Sequence, residues 1–327
     1  MLAARCLEYG PPESVVVEEL PDPVPGPDDV VVRVEAAALN YPDVLIVANK
    51  YQVSVPPPFI PGSEYAGTVE SVGSNVTTLA PGDAVVGTGI VGAFAQLVCA
   101  PAAALRRVPE GVSAAEAAAF GVVYQTAYHA LRGVAEVQPG DWVVVLGAAG
   151  GVGLAAVELA RVLGARVLAA ASSPAKLDVC REAGAEALVD YDAEDLKVRI
   201  KEIVGAAGAD VVIDPVGGPY AEQALRSTRW GGRFVTVGFA SGEIPRIPLN
   251  LVLLKGVIVK GFEIRTYSMY APEQSRRDDE ELEELFRNGT VRPHVSTVYP
   301  LSRVGDALAD LAQRRAIGKV VIDPWKD

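Results

Sequence analysis

The chain is poor in the side chains that hold metals or cross-link a fold, with three cysteines and two histidines in 327 residues. Cys6, Cys99 and Cys180 are odd in number and widely spaced, so no disulfide framework is expected and each reads as a small buried hydrophobe. A closed zinc site needs about four Cys or His ligands at short spacing, and adding His129 and His294 supplies no such cluster. Positive charge is also scarce. Forty-one acidic residues face 29 basic ones, for a net charge of −12, and no basic tract could neutralise a run of phosphates, so nucleic acid is not an expected partner. No apolar run reaches the roughly 18 to 20 residues that cross a bilayer, and residues Met1 to Glu8 lack a signal peptide's hydrophobic centre. The expectation is a cytoplasmic protein with no membrane partner.

What is present is a large apolar complement, 50% of residues, with 32 Gly and 24 Pro spread along the chain. That length exceeds one usual hydrophobic core, so two domains are expected. Up to residue 122 the pattern is β-rich: short apolar runs (Val15 to Val17, Val30 to Val34, Tyr65 to Val72, Ala84 to Val86, Ala95 to Val98) broken by Gly and Pro. From 123 to 264 apolar runs alternate with helical segments, the pattern of consecutive βα units. Six strands are predicted there: Trp142 to Leu146, Arg166 to Ala170, Glu186 to Val189, Asp210 to Ile213, Arg233 to Val237 and Val257 to Lys260. The fold class is α/β, a doubly wound parallel six-stranded sheet beside a β-rich domain. The tail, 265–327, is expected to return to the first domain, carrying helices over Ser275 to Arg287 and Ser302 to Arg314 and a strand over Lys319 to Ile322.

The first predicted strand of the parallel sheet runs into Gly147-Ala148-Ala149-Gly150-Gly151-Val152-Gly153. An amphipathic helix follows, with Val152, Ala155, Ala156, Leu159, Ala160 and Leu163 on one face and Gly164 as its stop. Strand, glycine turn and helix in this order make a pyrophosphate site, because the helix's first amides are free and its dipole favours an anion. Gly150 would let the backbone approach the phosphate and Gly153 would let the helix approach the strand. Ala148 stands where the usual G-x-G-x-x-G has its first glycine, so the motif rests on its context. A dinucleotide fold that takes NAD usually puts Asp or Glu at the end of the second strand to hold the ribose hydroxyls. Here that place reads Ala169-Ala170-Ala171-Ser172-Ser173, with Lys176 following. Two hydroxyls and an ammonium suit the 2′-phosphate of NADPH, which a carboxylate would repel. Ser172 and Ser173 also read as a helix N-cap ahead of Pro174, and the two roles can coexist.

Further motifs accompany the turn: Leu39-Asn40-Tyr41-Pro42-Asp43, Pro61-Gly62-Ser63-Glu64-Tyr65-Ala66-Gly67-Thr68-Val69 with Val72-Gly73, and Pro81-Gly82-Asp83-Ala84-Val85. Later come Thr126-Ala127-Tyr128-His129-Ala130-Leu131, Pro139-Gly140-Asp141 and Gly318-Lys319-Val320-Val321. In these the whole chain resembles the zeta-crystallin-like quinone oxidoreductases of the medium-chain dehydrogenase/reductase superfamily, in which Ala at the first glycine position is usual. The resemblance implies a GroES-like catalytic domain built from residues 1–122 and the tail, with a Rossmann domain inserted. It implies NADPH-dependent reduction of quinones or other α,β-unsaturated carbonyls, commonly by a homodimer. Zinc-dependent cousins carry Cys near the position of Asn40, Gly-His-Glu at Gly62-Ser63-Glu64, and a four-cysteine lobe. All three are missing, which implies chemistry without a metal Lewis acid.

Carried over by position, the resemblance places Asn40 near the nicotinamide ribose, Tyr51 near the substrate and Thr126 beside the carboxamide. Their structural alternatives are a turn before Pro42, core packing and a helix start. Ala149, Gly150, Gly151, Val152, Ser172, Ser173 and Lys176 are expected along the cofactor. So are Tyr191, Val216, Gly238, Phe239 and Phe262, which follow later strands, and Lys319, which also reads as a strand-edge lysine. Asp43 and Glu64 are expected in structural ion pairs, and His129 as a hydrogen-bonded rather than catalytic residue. The segment Glu263 to Pro272 departs from the family pattern and is expected at the acceptor pocket or a dimer contact. Two other functions remain open, an enoyl-thioester reductase and a non-catalytic NADPH-binding redox module.

Overall fold

The computed structural model describes residues 1–327, and the chain packs as two units, Met1–Val122 with Pro293–Asp327, and Val123–Arg292. The first unit is built on a seven-stranded sheet. Its central strand Asp29–Ala38 alternates buried valines and alanines with exposed Arg33 and Glu35, and it pairs antiparallel with Glu64–Val72, Leu97–Pro101 and Lys319–Asp323. The last of these comes from the tail. Its register on Ala37 and Ala38, continued by the Leu39 amide on the Val320 carbonyl at 2.9 Å, brings Lys319 beside the residues that end the central strand. Helix Tyr41–Val47 starts there, with Asp43 at its third position accepting from the Asn40 amide at 2.7 Å.

The second unit holds six parallel strands in the order Ala187–Asp190, Arg166–Ala171, Trp142–Leu146, Ala209–Asp214, Thr228–Thr236, Ile258–Gly261. Numbered along the chain this is 3-2-1-4-5-6, so the switch point lies between the first and fourth strands, where doubly wound sheets bind ligands. Trp142–Leu146 is buried throughout, which explains its unbroken apolar run. Helix Gly151–Val162 buries more than the expected stripe, since Leu154 and Val157 are also covered. Thus the GroES-like plus Rossmann α/β fold is present.

Several expectations are corrected. The tail re-enters the first unit at Pro293 and not at 265, because helix Pro272–Arg287 and the segment before it pack in the second unit. That preceding segment is itself helical, Ile264–Tyr270, capped by Glu263 through the amides of Arg265 and Thr266. The change of pattern near 123 falls inside one helix, Ala114–His129, whose early alanines 117–119 cluster with Ala36, Ala38, Ala66 and Val321. Thr126 is therefore in mid-helix, not at a start. The fifth parallel strand begins at Thr228, five residues before the expected Arg233, with Gly231 at φ +68 inside it. Cys6 and Cys180 are buried but Cys99 is exposed.

Candidate functional site

In the second unit the phosphate turn is held from both sides. The Ala148 amide donates to Ala170 on the neighbouring strand at 3.0 Å, and the Gly150 amide donates to Gly147 at 3.0 Å. Gly147 has φ +57, a conformation that glycine enters without penalty. A Cβ at Gly153 would stand 2.2 Å from the Gly147 carbonyl oxygen, so only glycine lets this helix close on the strand. At Gly150 the space is open: a Cβ would meet only Gly147 O, at 3.4 Å. Gly150 is the N-cap and offers no side chain, so the amides of Gly151, Val152 and Gly153 lack a helical acceptor. Ala149 is buried beside them.

At the end of the second strand the Lys176 ammonium donates to the Ser172 hydroxyl at 3.0 Å, while Ser173 caps helix Pro174–Glu182. Of the two roles foreseen for the serines, the helix cap falls to Ser173. Tyr191 follows the third strand, its amide on Ala171 O at 3.1 Å and its ring 4.2 Å from that of Tyr220. After the fourth strand Asp214, fully buried, accepts the amides of Val216 and Gly217 at 2.9 and 2.8 Å, and burial raises its carboxyl above the ordinary value. The loop so fixed lays Val216 against Gly147, where a Cβ would touch its methyl at 2.5 Å. Gly238 reaches the Asp214 carbonyl at 3.3 Å, and the Phe239 ring, partly exposed, covers Gly217. These residues and the turn all sit at the carboxyl ends of the strands. Phe262 differs: it is buried, its ring centroid 6.2 Å from His129 and 5.5 Å from Tyr267.

His129 belongs to a separate buried cluster. Its two ring nitrogens face Asp278 at 3.1 Å and Asp279 at 3.3 Å, and Asp278 also accepts from Tyr267 at 3.3 Å and Gln274 at 2.6 Å. Burial alone would lower the imidazole, but hydrogen bonds and charge from the two aspartates outweigh it and hold it at about 9. The segment 263–272 thus turns Tyr267 inward onto this cluster and leaves Tyr270 exposed.

The first unit carries a second cluster. Lys319, 3% exposed, gives its ammonium to Leu39 O at 2.8 Å, Asn40 Oδ1 at 2.7 Å and Glu64 Oε1 at 2.7 Å. Asn40 in turn donates through Nδ2 to Ser63 Oγ at 3.2 Å and Glu64 Oε1 at 3.0 Å. The second oxygen of Glu64, itself fully buried, accepts the Val122 amide at 2.9 Å. Glu64 has the ion pair expected of it. Asp43 does not: it caps Asn40 through Oδ2, and Oδ1 is buried without a hydrogen-bond partner. Burial pushes the Asp43 carboxyl up to about 7, against the Asn40 amide, the Ser63 hydroxyl and Lys319, which lower it. The Lys319 ammonium has three protons, and all three are given to protein oxygens. Tyr51 is half-buried against the core of the same unit. Sequence reasoning did not find the Lys319–Asn40 link, since the partners lie 279 residues apart and no local pattern joins them.

Comparison with known proteins agrees with this architecture. Residues 26–110 match the alcohol dehydrogenase GroES-like domain family, and residues 151–282 match the family described as zinc-binding dehydrogenase. Across all residues, no group of three or more His, Cys, Asp and Glu is placed to hold a metal ion. The chain is 39% identical over 324 residues to a quinone oxidoreductase-like protein 2 homolog of Nematostella vectensis, covering 98% of this chain and 88% of that one. The structure of Escherichia coli quinone oxidoreductase complexed with NADPH is similar with a TM-score of 0.88 and 28% identity, over 99% of this chain and 100% of the other. The CurK enoyl reductase is similar with a TM-score of 0.86 and 26% identity, over 98% of both chains. From these likenesses, the glycine turn and the two-unit fold, the chain belongs to the quinone oxidoreductases of the medium-chain dehydrogenase/reductase superfamily.

Proposed function

We propose that the protein is a zinc-independent oxidoreductase that takes a hydride from NADPH and delivers it to a quinone or another α,β-unsaturated carbonyl. The observation that carries this reading is the pairing of the phosphate turn with Ser172 and Lys176 at the neighbouring strand end. Three amides without helical acceptors and the open space over Gly150 fit a pyrophosphate. A hydroxyl and an ammonium 3.0 Å apart fit a 2′-phosphate. Asp214 holds Val216 and Gly217 in one conformation, and Tyr191, Gly238 and Phe239 shape the neighbouring surface. Asn40 is assigned to the nicotinamide ribose, Thr126 to the carboxamide and Tyr51 to the acceptor. When bound, NADPH supplies the hydride, and the chain's part is to orient and to exclude water, with the accompanying proton available from solvent.

The edge strand Ile258–Gly261 pairs on one side only and leaves Ile258 and Val259 exposed, as are Leu253 and Leu254 of the helix before it and Trp230. Such an apolar edge supports a homodimer. Likeness to the CurK enoyl reductase favours one second reading, reduction of an enoyl thioester, and preference for thioesters over quinones and free enones would select it.

Titration with the two nucleotides tests the cofactor assignment. NADPH is expected to bind more tightly than NADH. Lys176→Ala should weaken NADPH by about tenfold or more, the loss of one charge-assisted contact, with NADH little changed. Equal affinities in the unmodified protein would refute the assignment.

A further inference from the structure

Lys319 is the one lysine among the buried charged residues, and its surroundings are unusually complete. Three oxygens of three different kinds converge on one ammonium: the Leu39 carbonyl, the Asn40 amide oxygen and the Glu64 carboxylate, all between 2.7 and 2.8 Å. They come from the end of strand Asp29–Ala38, the N-cap of helix Tyr41–Val47 and the first residue of strand Glu64–Val72. The lysine itself opens the tail strand Lys319–Asp323. A neutral lining would make an ammonium here expensive, but the carboxylate neutralises it and the three acceptors replace its hydration.

The arrangement also decides the orientation of Asn40. Because Oδ1 takes the lysine, Nδ2 must face Ser63 and Glu64, and a flipped amide would set its NH2 against the ammonium.

We propose that Lys319 is a positioning residue: its ammonium is the resident cation of a site built from Leu39, Asn40 and Glu64, and by filling that site it fixes the Asn40 amide for the reduction. The proposal rests on the reductase reading above for its effect on turnover, though not for the cation site. Emptied by truncation, the site should accept a small ammonium ion in place of the lost side chain. Arginine will not substitute, since a planar fork cannot direct donors to three converging oxygens as an ammonium does.

The test uses the full-length protein. Lys319→Ala is expected to lower turnover about 10- to 100-fold, the usual loss when a group that orients a ligand-binding residue is removed. NADPH affinity should change far less. Methylammonium should then raise both the melting temperature and the turnover of this variant saturably, whereas tetramethylammonium, which has no N–H, should do neither. Melting in methylammonium alone, without nucleotide, reads the cation site independently of any reaction, so failure of the reductase reading would leave that arm intact. The double variant Glu64→Gln with Lys319→Met removes both charges at similar volume and covers the case in which the single variant does not fold. It should recover the stability lost in Lys319→Met alone, yet turn over no faster. The proposal is overturned if methylammonium acts on Lys319→Ala no differently from tetramethylammonium, or if the double variant turns over like the unmodified protein.

Discussion

Each unit of the molecule buries one cation, and the two are held in different ways. In the first unit Lys319 is surrounded by a carbonyl, an amide and one carboxylate. In the second His129 lies between two carboxylates, Asp278 and Asp279, with Tyr267 and Gln274 completing the shell of Asp278. The lysine's shell is balanced in charge, one carboxylate to one ammonium. An imidazole owes its charge to its neighbours and can be switched off. The difference teaches that burial of a charge is no single device: the lysine fixes the geometry of an amide, and the imidazole makes stability depend on pH.

Three changes break or sharpen this contrast. The largest effect is expected from Lys319→Met, which strands the Glu64 carboxylate in the interior and should cost about 3 to 5 kcal/mol in denaturant unfolding. Asp43 comes next. With its folded-state pKa raised to about 7 from an ordinary 3.8, the folded protein keeps a proton that the unfolded chain releases. Stability therefore falls as pH rises between those values, by up to about 4 kcal/mol, and levels off above. Asp43→Asn should remove that slope from a series of unfolding curves at pH 4 to 7.

His129 gives the smaller effect, of the same sign but in a more alkaline window. Its raised pKa contributes stability that is whole below 6.5 and is lost as pH climbs through about 9. His129→Gln keeps a donor toward Asp278 but carries no charge. It should cost about 1 to 3 kcal/mol at pH 6 and abolish the alkaline decline. If the decline persists in His129→Gln, the cluster is not its source.

Much of the fold was legible because its signals are local. Six apolar runs with glycine stops marked the parallel strands, and Gly147 to Gly153 marked the turn from residue types alone. Tertiary facts were not legible. The helix Ile264–Tyr270 was hidden by a Glu263 cap in a segment read for its aromatics, and the tail's return point depended on packing that no local pattern encodes. At the site, Glu64 was read as half of an ion pair, but its partner lies 255 residues away. Asp43 was read as ionised and paired, whereas a helix cap with one orphan oxygen is what the fold makes of it.

The central claim is hydride transfer from NADPH to a conjugated carbonyl, and the most direct measurement is the absorbance of NADPH at ~340 nm, which falls as the cofactor is oxidised, with quinones and enones offered in turn. The account predicts oxidation dependent on acceptor and protein, faster with NADPH than with NADH. Tight binding of NADPH with no oxidation by any acceptor would contradict it and leave a nucleotide-binding module without turnover.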